Sequence, residues 1–410
     1  MQNSGLTPAT EEVEKHMFPL LPVAEAQSRL FALAPVIPEE TVPLSAAAHR
    51  WTATDILAHR TQPATDLSAM DGYAICFADL PGPFTRIGES AAGRPFAGAV
   101  STGETVRIFT GAAIPAGADT VMVQEEVMVE GDRILLTSGG PARPGRNTRL
   151  RGLDFHEGDT LVSRGERLTA ARLAVAAIGG NAGITVRRPI RVAIATTGDE
   201  LVAPGHTLNS TQLPESNGLM LSAMLAGLPI EIVDLGILPD SLHVMRDTFA
   251  NIRADILVTT GGASVGDHDL VRPAIEAAGG TIDFWRIALR PGKPMMAGRL
   301  GSAVVLGLPG NPVSAFVTAL LFLKPLIAHM AGAADPLPQT TRALLGEPLP
   351  ANDHRTDYLR AELREGRAFA STIQDSSMLR TLARSTCLIL RPAHAPAAAV
   401  DEMVDILLLA

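Results

Sequence analysis

A chain of 410 residues, 46% hydrophobic and 19% charged, is long enough for two or more domains with cores of their own, which excludes a single small module. Its net charge of −9 argues against broad nucleic-acid binding, which needs a surplus of Lys and Arg to neutralise phosphates. Cys76 and Cys387 stand far apart, outside any metal-ligand spacing, so neither a disulfide framework nor a zinc site is expected and a reducing compartment fits.

Met1 to Phe18 carries Glu11, Glu12 and Glu14 where a signal peptide would need a positive end and an apolar stretch, so export is not expected and a cytoplasmic location is. Helical spacing of apolar residues runs from Leu21 to Ala34, followed by Pro38 and a strand-like stretch around Val42. From Asp66 to about Leu136 short β-like pieces (Gly72 to Ile75, Val106 to Phe109, Val121 to Val123) are punctuated by Gly and Pro and predict a compact β-rich domain. Arg143, Arg146, Arg149 and Arg151 cluster next; a solvated basic loop and an anion-attracting one are both compatible with them.

From Arg191 onward apolar strands alternate with helices: Val192 to Ala195, Leu219 to Leu225, Ile230 to Leu235, Leu242 to Ile252, Asp255 to Thr259, Val271 to Ala277, Val304 to Leu308 and Val313 to Ile327. That rhythm predicts a parallel sheet with helices on both faces. The most apolar run, Val313 to Leu323, is shorter than the roughly 20 residues a bilayer crossing needs, and Lys324-Pro325 follows at once; it reads as a buried helix, with no membrane span. A Pro- and Ala-rich linker, Gly332 to Pro338, leads to strand patterns near Tyr358 to Leu363 and Cys387 to Leu390, a small C-terminal β domain.

In open parallel sheets, ligands settle beyond the carboxyl ends of the strands, where loop amides and helix N-termini favour anions. Two such loops stand out, Thr196-Thr197-Gly198-Asp199-Glu200 and Thr259-Thr260-Gly261-Gly262-Ala263-Ser264, the second running on to Asp267, His268 and Asp269. Each offers hydroxyls and a glycine backbone to a phosphate, then carboxylates for a hard cation. One Thr-Gly turn alone is ordinary turn chemistry; two at equivalent strand ends of one sheet favour a site. A third loop, Leu308-Pro309-Gly310-Asn311-Pro312, is either a rigid strand-to-helix turn or a wall of the same pocket. The stretch Phe284 to Pro294 brings Arg286, Arg290 and Lys293 together, the charge an oxyanion and a pyrophosphate would need if it lines that crevice. There is no Gly-x-Ser-x-Gly elbow, Walker loop or HExxH pair, which disfavours covalent catalysis and P-loop NTP hydrolysis. His156, His243 and His268 are scattered singly and receive no role.

These residues resemble the molybdopterin molybdenumtransferase family, the bacterial MoeA proteins and the E domain of gephyrin-type proteins. The resemblance rests on Asp66 to Ala74 (DLSAMDGYA), Ile108 to Pro115 (IFTGAAIP), Arg151 to Asp154 (RGLD), the two Thr-Thr-Gly loops, Arg290 to Pro294 (RPGKP), Leu308 to Pro312 (LPGNP) and Gln374 to Leu379 (QDSSML), and it covers about Leu21 to Leu409. It implies an elongated homodimer of multidomain α/β plus β subunits: a discontinuous linker domain (1–50 and 146–185), a β-rich lid (51–145), a molybdopterin-binding parallel α/β domain (186–332) and a C-terminal β domain (333–410). The cleft would lie between the α/β domain of one subunit and the lid of the other, placing Asp71 and Thr110 opposite Glu200, Asp240 and Asp269. By the same carry-over Asp154 belongs to the catalytic set. Thr197, Gly198, Thr260, Gly261, Gly262, Ser264, Arg286, Arg290, Lys293, Pro309, Pro312, Arg360 and Ser376 would bind substrate. Arg286 and Arg290 stand where some relatives carry lysine, and Thr381 and Ser385-Thr386 depart from the family's C-terminal pattern.

The resemblance also implies the reaction: adenylated molybdopterin and molybdate are the substrates, a phosphoanhydride is cleaved, and AMP leaves with the metallated cofactor. Mg2+ on Asp269 or its neighbours would offset the pyrophosphate charge. Because the dithiolene sulfurs of the pterin are soft donors that can hold molybdenum, the protein need not supply thiolates. Upstream, a molybdopterin adenylyltransferase is the implied partner. Two rival readings stand beside this one. An adenylyltransferase is opposed by the flanking residues 21 to 185 and 335 to 410, because that enzyme resembles the α/β domain alone; a non-catalytic molybdopterin-binding scaffold is opposed by the acidic residues kept at the matched cleft positions.

Overall fold

The computed structural model describes residues 20–262 and 269–409. Its centre is a six-stranded sheet in the order Ile230–Leu238, Ile190–Thr197, Ile256–Thr260, Ala303–Leu308, Met296–Leu300, Thr281–Trp285. The first four strands are mutually parallel, and Met296–Leu300 runs antiparallel to both of its neighbours, Ala303–Leu308 and Thr281–Trp285. The sheet is therefore mixed, not wholly parallel as the alternation of elements suggested. The reason is local: only Gly301 and Ser302 separate Leu300 from Ala303, with Gly301 at φ 58°. So short a link closes a hairpin, whereas a parallel return requires a crossover of about a dozen residues.

Ile256–Thr260 and Ala303–Leu308 are buried along their whole length, which is why they read as unbroken apolar runs: helices cover both faces. One face packs Ile190, Val192, Ile194, Leu306 and Leu308 against Leu221, Val313, Val317 and Phe322; the other packs Ala193, Leu257 and Val305 against Met245, Phe249 and Ile275.

The helix after Leu308 runs from Pro312 to Met330, 19 residues, straight through Lys324-Pro325. It is long and apolar enough to cross a membrane, yet 78% of its most apolar 18-residue stretch is buried. Pro325 does not stop it because the turn ahead, Ala319–Leu323, is a wider π-helix, which makes room for the proline ring and its missing amide before α-helix resumes at Lys324.

Three further assemblies surround this layer. Glu39–Pro43 pairs with Gly183–Arg187, and Ile56–Leu57 with Thr160–Val162, so the chain leaves this region and returns to it. In between lies a six-stranded sheet in the order Thr120–Val123, Gly72–Ile75, Glu104–Ile108, Phe84–Ser90, Arg133–Leu136, Val127–Glu130. At the C-terminal end, Thr356–Arg364, Arg367–Ala370, Thr341–Leu345, Met403–Leu408 and Cys387–Arg391 form a sheet that closes on itself, because Cys387–Arg391 also pairs with Thr356–Arg364. This barrel is joined to the central layer by a parallel pairing of Leu289 and Arg290 with Thr356 and Asp357.

Candidate active site

Three strand ends meet at one edge of the central layer. Thr196 pairs in register with Thr260, and Thr260 with Leu308, so the loops after Thr197, Thr260 and Leu308 leave the sheet side by side. They pack backbone against backbone. A Cβ on Gly261 (φ 88°) would stand 2.4 Å from the Thr197 carbonyl oxygen, and one on Gly310 would stand 3.3 Å from the Gly261 Cα. At Gly261 so close an approach is open to glycine alone, and at Gly310 it is a tight contact.

Asn217 ties two of these loops together: its Nδ2 donates to the Gly310 carbonyl at 2.8 Å and to Thr260 Oγ1 at 3.4 Å. Glu215 Oε1 accepts the Gly218 amide at 2.7 Å and so caps the first turn of Asn217–Leu225.

The result is a cleft of about 650 Å³ lined by Thr197, Gly198, Glu200, Glu215, Asn217, Asp240, Thr260, Gly261, Gly262, Pro309, Asn311, Pro312 and Ser377, among others. Its charged lining is acidic, Glu200, Glu215 and Asp240, with no Lys or Arg among the described lining residues. Anion affinity would then come from loop amides and hydroxyls. Asp269 lies beside the second loop, its Oδ1 3.4 Å from where a Cβ on Gly262 would stand. Among the described residues no three His, Cys, Asp or Glu side chains converge as a metal-binding group.

The structure thus gathers the predicted Thr197, Gly198, Glu200, Asp240, Thr260, Gly261, Gly262, Pro309 and Pro312 in one cleft, with Asp269 adjoining. Ser264 lies outside the described residues.

The basic residues expected there are not among its described lining residues. Arg290 is bound to the C-terminal barrel, its Nε and Nη2 donating to Asp357 at 2.8 and 2.7 Å, and Asp357 holds the guanidinium above its usual pKa. Arg286, at φ 92°, stacks its guanidinium 5.4 Å from the Trp285 ring centre. Lys293 is exposed next to Pro294, which lines the cleft. Arg360 is 1% exposed inside the barrel, with Nη1 donating to the Asp375 carbonyl at 2.8 Å and Nε to Gln374 Oε1 at 3.3 Å. Ser376 sits at the rim and accepts a bond from Asn311 Nδ2 at 2.9 Å.

Asp71, Thr110 and Asp154 do not line this cleft. Thr110 donates its amide and its hydroxyl to Asp71 Oδ1 at 2.7 and 2.8 Å. The amide first, then the hydroxyl, holds the Asp71 carboxyl below the usual range. Asp154 is exposed, its amide bound to the Gln62 carbonyl at 3.0 Å.

Glu215 and Asn217 are cleft residues that sequence reasoning did not single out, whereas Asn311 and Ser377 lie within motifs it named without a role of their own. Ser216-Asn217 ahead of an apolar run reads as a helix start, and nothing in that pattern says that the side chain bridges two other loops.

With this geometry in place, comparison with known proteins is specific along the chain. The MoeA N-terminal region (domain I and II) matches residues 21–180, a "Probable molybdopterin binding domain" matches 193–329, and the MoeA C-terminal region (domain IV) matches 342–409. The molybdopterin molybdenumtransferase of Haemophilus influenzae is 39% identical over 319 residues, 76% of this chain and 78% of that protein. That of Staphylococcus aureus strain COL is 30% identical over 403 residues, 95% of each. The crystal structure of the molybdopterin biosynthesis MoeA protein from Pyrococcus horikoshii OT3 superposes with a TM-score of 0.81 at 28% identity, covering 95% of this chain and 100% of that one. Since the matched regions carry both the three-loop cleft and the barrel that reaches its rim, the chain belongs to the molybdopterin molybdenumtransferase (MoeA) family.

Proposed function

We propose that this protein is a transferase of molybdenum cofactor biosynthesis that inserts molybdate into adenylated molybdopterin and releases AMP. The observation that carries the reading is the cleft itself: three glycine-bearing loops at adjacent parallel strand ends, lined also by Glu200, Glu215 and Asp240, in a chain whose relatives are molybdopterin molybdenumtransferases. The Thr197–Gly198 and Thr260–Gly262 loops would cradle the phosphates with backbone amides and hydroxyls.

The carboxylate donor set suits Mg2+, which binds through one or two carboxylates plus substrate phosphate oxygens and needs no complete protein cage. Asp269, with Glu200 or Asp240 as the alternative carboxylates, would hold it. Bound there, it would offset the charge of the phosphoanhydride. Asp71 and Glu200 would orient the attacking oxygen or accept its proton.

Because Asp71, Thr110 and Asp154 stand outside the cleft of their own chain, we assign them to the cleft of a second copy in a homodimer, with the lid of one subunit over the α/β layer of the other. The units 1–50 with 146–185, 51–145, 186–332 and 333–410 are the proposed domains. A molybdopterin adenylyltransferase would supply the substrate in the cytoplasm. The scaffold and adenylyltransferase readings are not favoured.

Single-turnover release of AMP from adenylated molybdopterin, with Mg2+ and with or without molybdate, tests this. Molybdate-dependent release that also reactivates an apo-molybdoenzyme is expected; tight pterin binding without such release would overturn it.

A further inference from the structure

We propose that Asn311 and Ser376 form a latch through which the C-terminal barrel completes the cleft, both acting as positioning residues for the turn 375–377 rather than as ligands of the oxyanion.

Asn311 is the N-cap of the Pro312–Met330 helix, yet its side chain caps nothing in that helix. It reaches across to the barrel, donating Nδ2 to Ser376 Oγ at 2.9 Å. The Val313 amide, one of the first-turn donors that a helix leaves unmet, is taken by the Ser376 carbonyl at 3.1 Å. The barrel thus caps the helix end that faces the cleft.

Behind the turn, buried Arg360 holds the Asp375 carbonyl, while Asp375 Oδ1 accepts the Ser377 amide at 2.8 Å and its hydroxyl at 2.5 Å. Ser377, so fixed, is the barrel residue on the cleft wall. Its place over the substrate depends on the contacts of its neighbour Ser376. Releasing Ser376 moves a wall of the cleft without touching the core of either unit.

This rests on the proposed function, and its test has an arm that does not. We would measure KM and kcat for AMP release in Ser376→Ala, Asn311→Ala and the double variant, together with hydrogen exchange at Val313 and 374–378 in the protein without substrate. A net hydrogen bond is worth about 0.5–1.5 kcal/mol, so each single change should raise KM for adenylated molybdopterin roughly two- to twelvefold, with kcat held within about twofold. Because the two residues act through one bond, the double variant should be no worse than the more impaired single. Ser376→Thr, which keeps the hydroxyl, should restore KM. Exchange at 374–378 should quicken in both single variants. Effects that multiply in the double variant would mean that each residue meets substrate independently, and unchanged exchange would mean that there is no latch; either overturns the proposal. Absence of AMP release by the unaltered protein would defeat the functional reading instead, and the exchange arm would still decide the latch.

Discussion

Thr110 directs both of its donors, amide and hydroxyl, at a single oxygen of Asp71, at 2.7 and 2.8 Å. Two hydrogen bonds to the charged form favour it, so Asp71 stays ionised to a lower pH than an ordinary aspartate. Thr110→Val keeps the amide bond and deletes the hydroxyl one; the acid limb of the AMP-release profile should then move to higher pH. Asp71→Asn, which keeps the shape and loses the charge, should cut the rate by about a hundredfold or more if the carboxylate handles a proton. A folded, fully active Asp71→Asn protein would remove the residue from the mechanism.

Arg290 should report as a clamp. Its partner Asp357 has a side chain only 10% exposed, and Leu289 and Arg290 pair in register with Thr356 and Asp357. Arg290→Ala would leave that carboxylate without its charge-assisted bonds, at a cost of about 1.5–3 kcal/mol. Calorimetry should show the barrel melting at a lower temperature, while the KM for molybdate changes little. The reverse pattern, unchanged melting with a raised molybdate KM in Arg290→Lys, would return Arg290 to the oxyanion.

The fates of these residues show what was legible in the sequence. The strands Gly72–Ile75 and Cys387–Arg391 and the loops after Thr197 and Thr260 follow from local pattern, because periodicity and glycine placement are local properties. The hairpin at Gly301 and the passage of the long helix through Pro325 depend on turn chemistry and on a π turn that no period reveals. In the basic stretch Arg286 to Lys293 the charge is visible in sequence, but the partner of Arg290 is not, since Asp357 is 67 residues away. Asn217 was missed for the same reason, since its role is to join two loops that are distant in the chain.

His329 makes acid stability a further test. It stacks on Phe31 with ring centres 4.6 Å apart, and burial first, then the neighbouring Arg187, lowers its pKa from 6.5. The folded protein therefore binds this proton less readily than the unfolded chain. Stability from this group is intact above about pH 6.5 and is lost as pH falls below that value. Melting temperatures measured between neutral and acid pH should fall less steeply for His329→Phe than for the unaltered protein; parallel curves would mean that His329 titrates as it does in the unfolded chain.

Two glycines with the same backbone angle separate strain from packing at the cleft. Gly261 and Gly279 both sit at φ 88°, but a Cβ on Gly261 meets the Thr197 carbonyl oxygen at 2.4 Å and Thr197 Oγ1 at 2.9 Å, whereas one on Gly279 meets nothing within 4 Å. Alanine at either position carries the left-handed penalty of about 1–2 kcal/mol. Only at Gly261 must the first and second loops also part, and those loops are the proposed phosphate cradle. Gly279→Ala should therefore lower the melting temperature and leave AMP affinity within about twofold. Gly261→Ala should weaken AMP binding by more than tenfold, about 1.4 kcal/mol or more, measured by calorimetric titration. Equal affinities in the two variants would show that backbone contact between the loops is not what shapes the site.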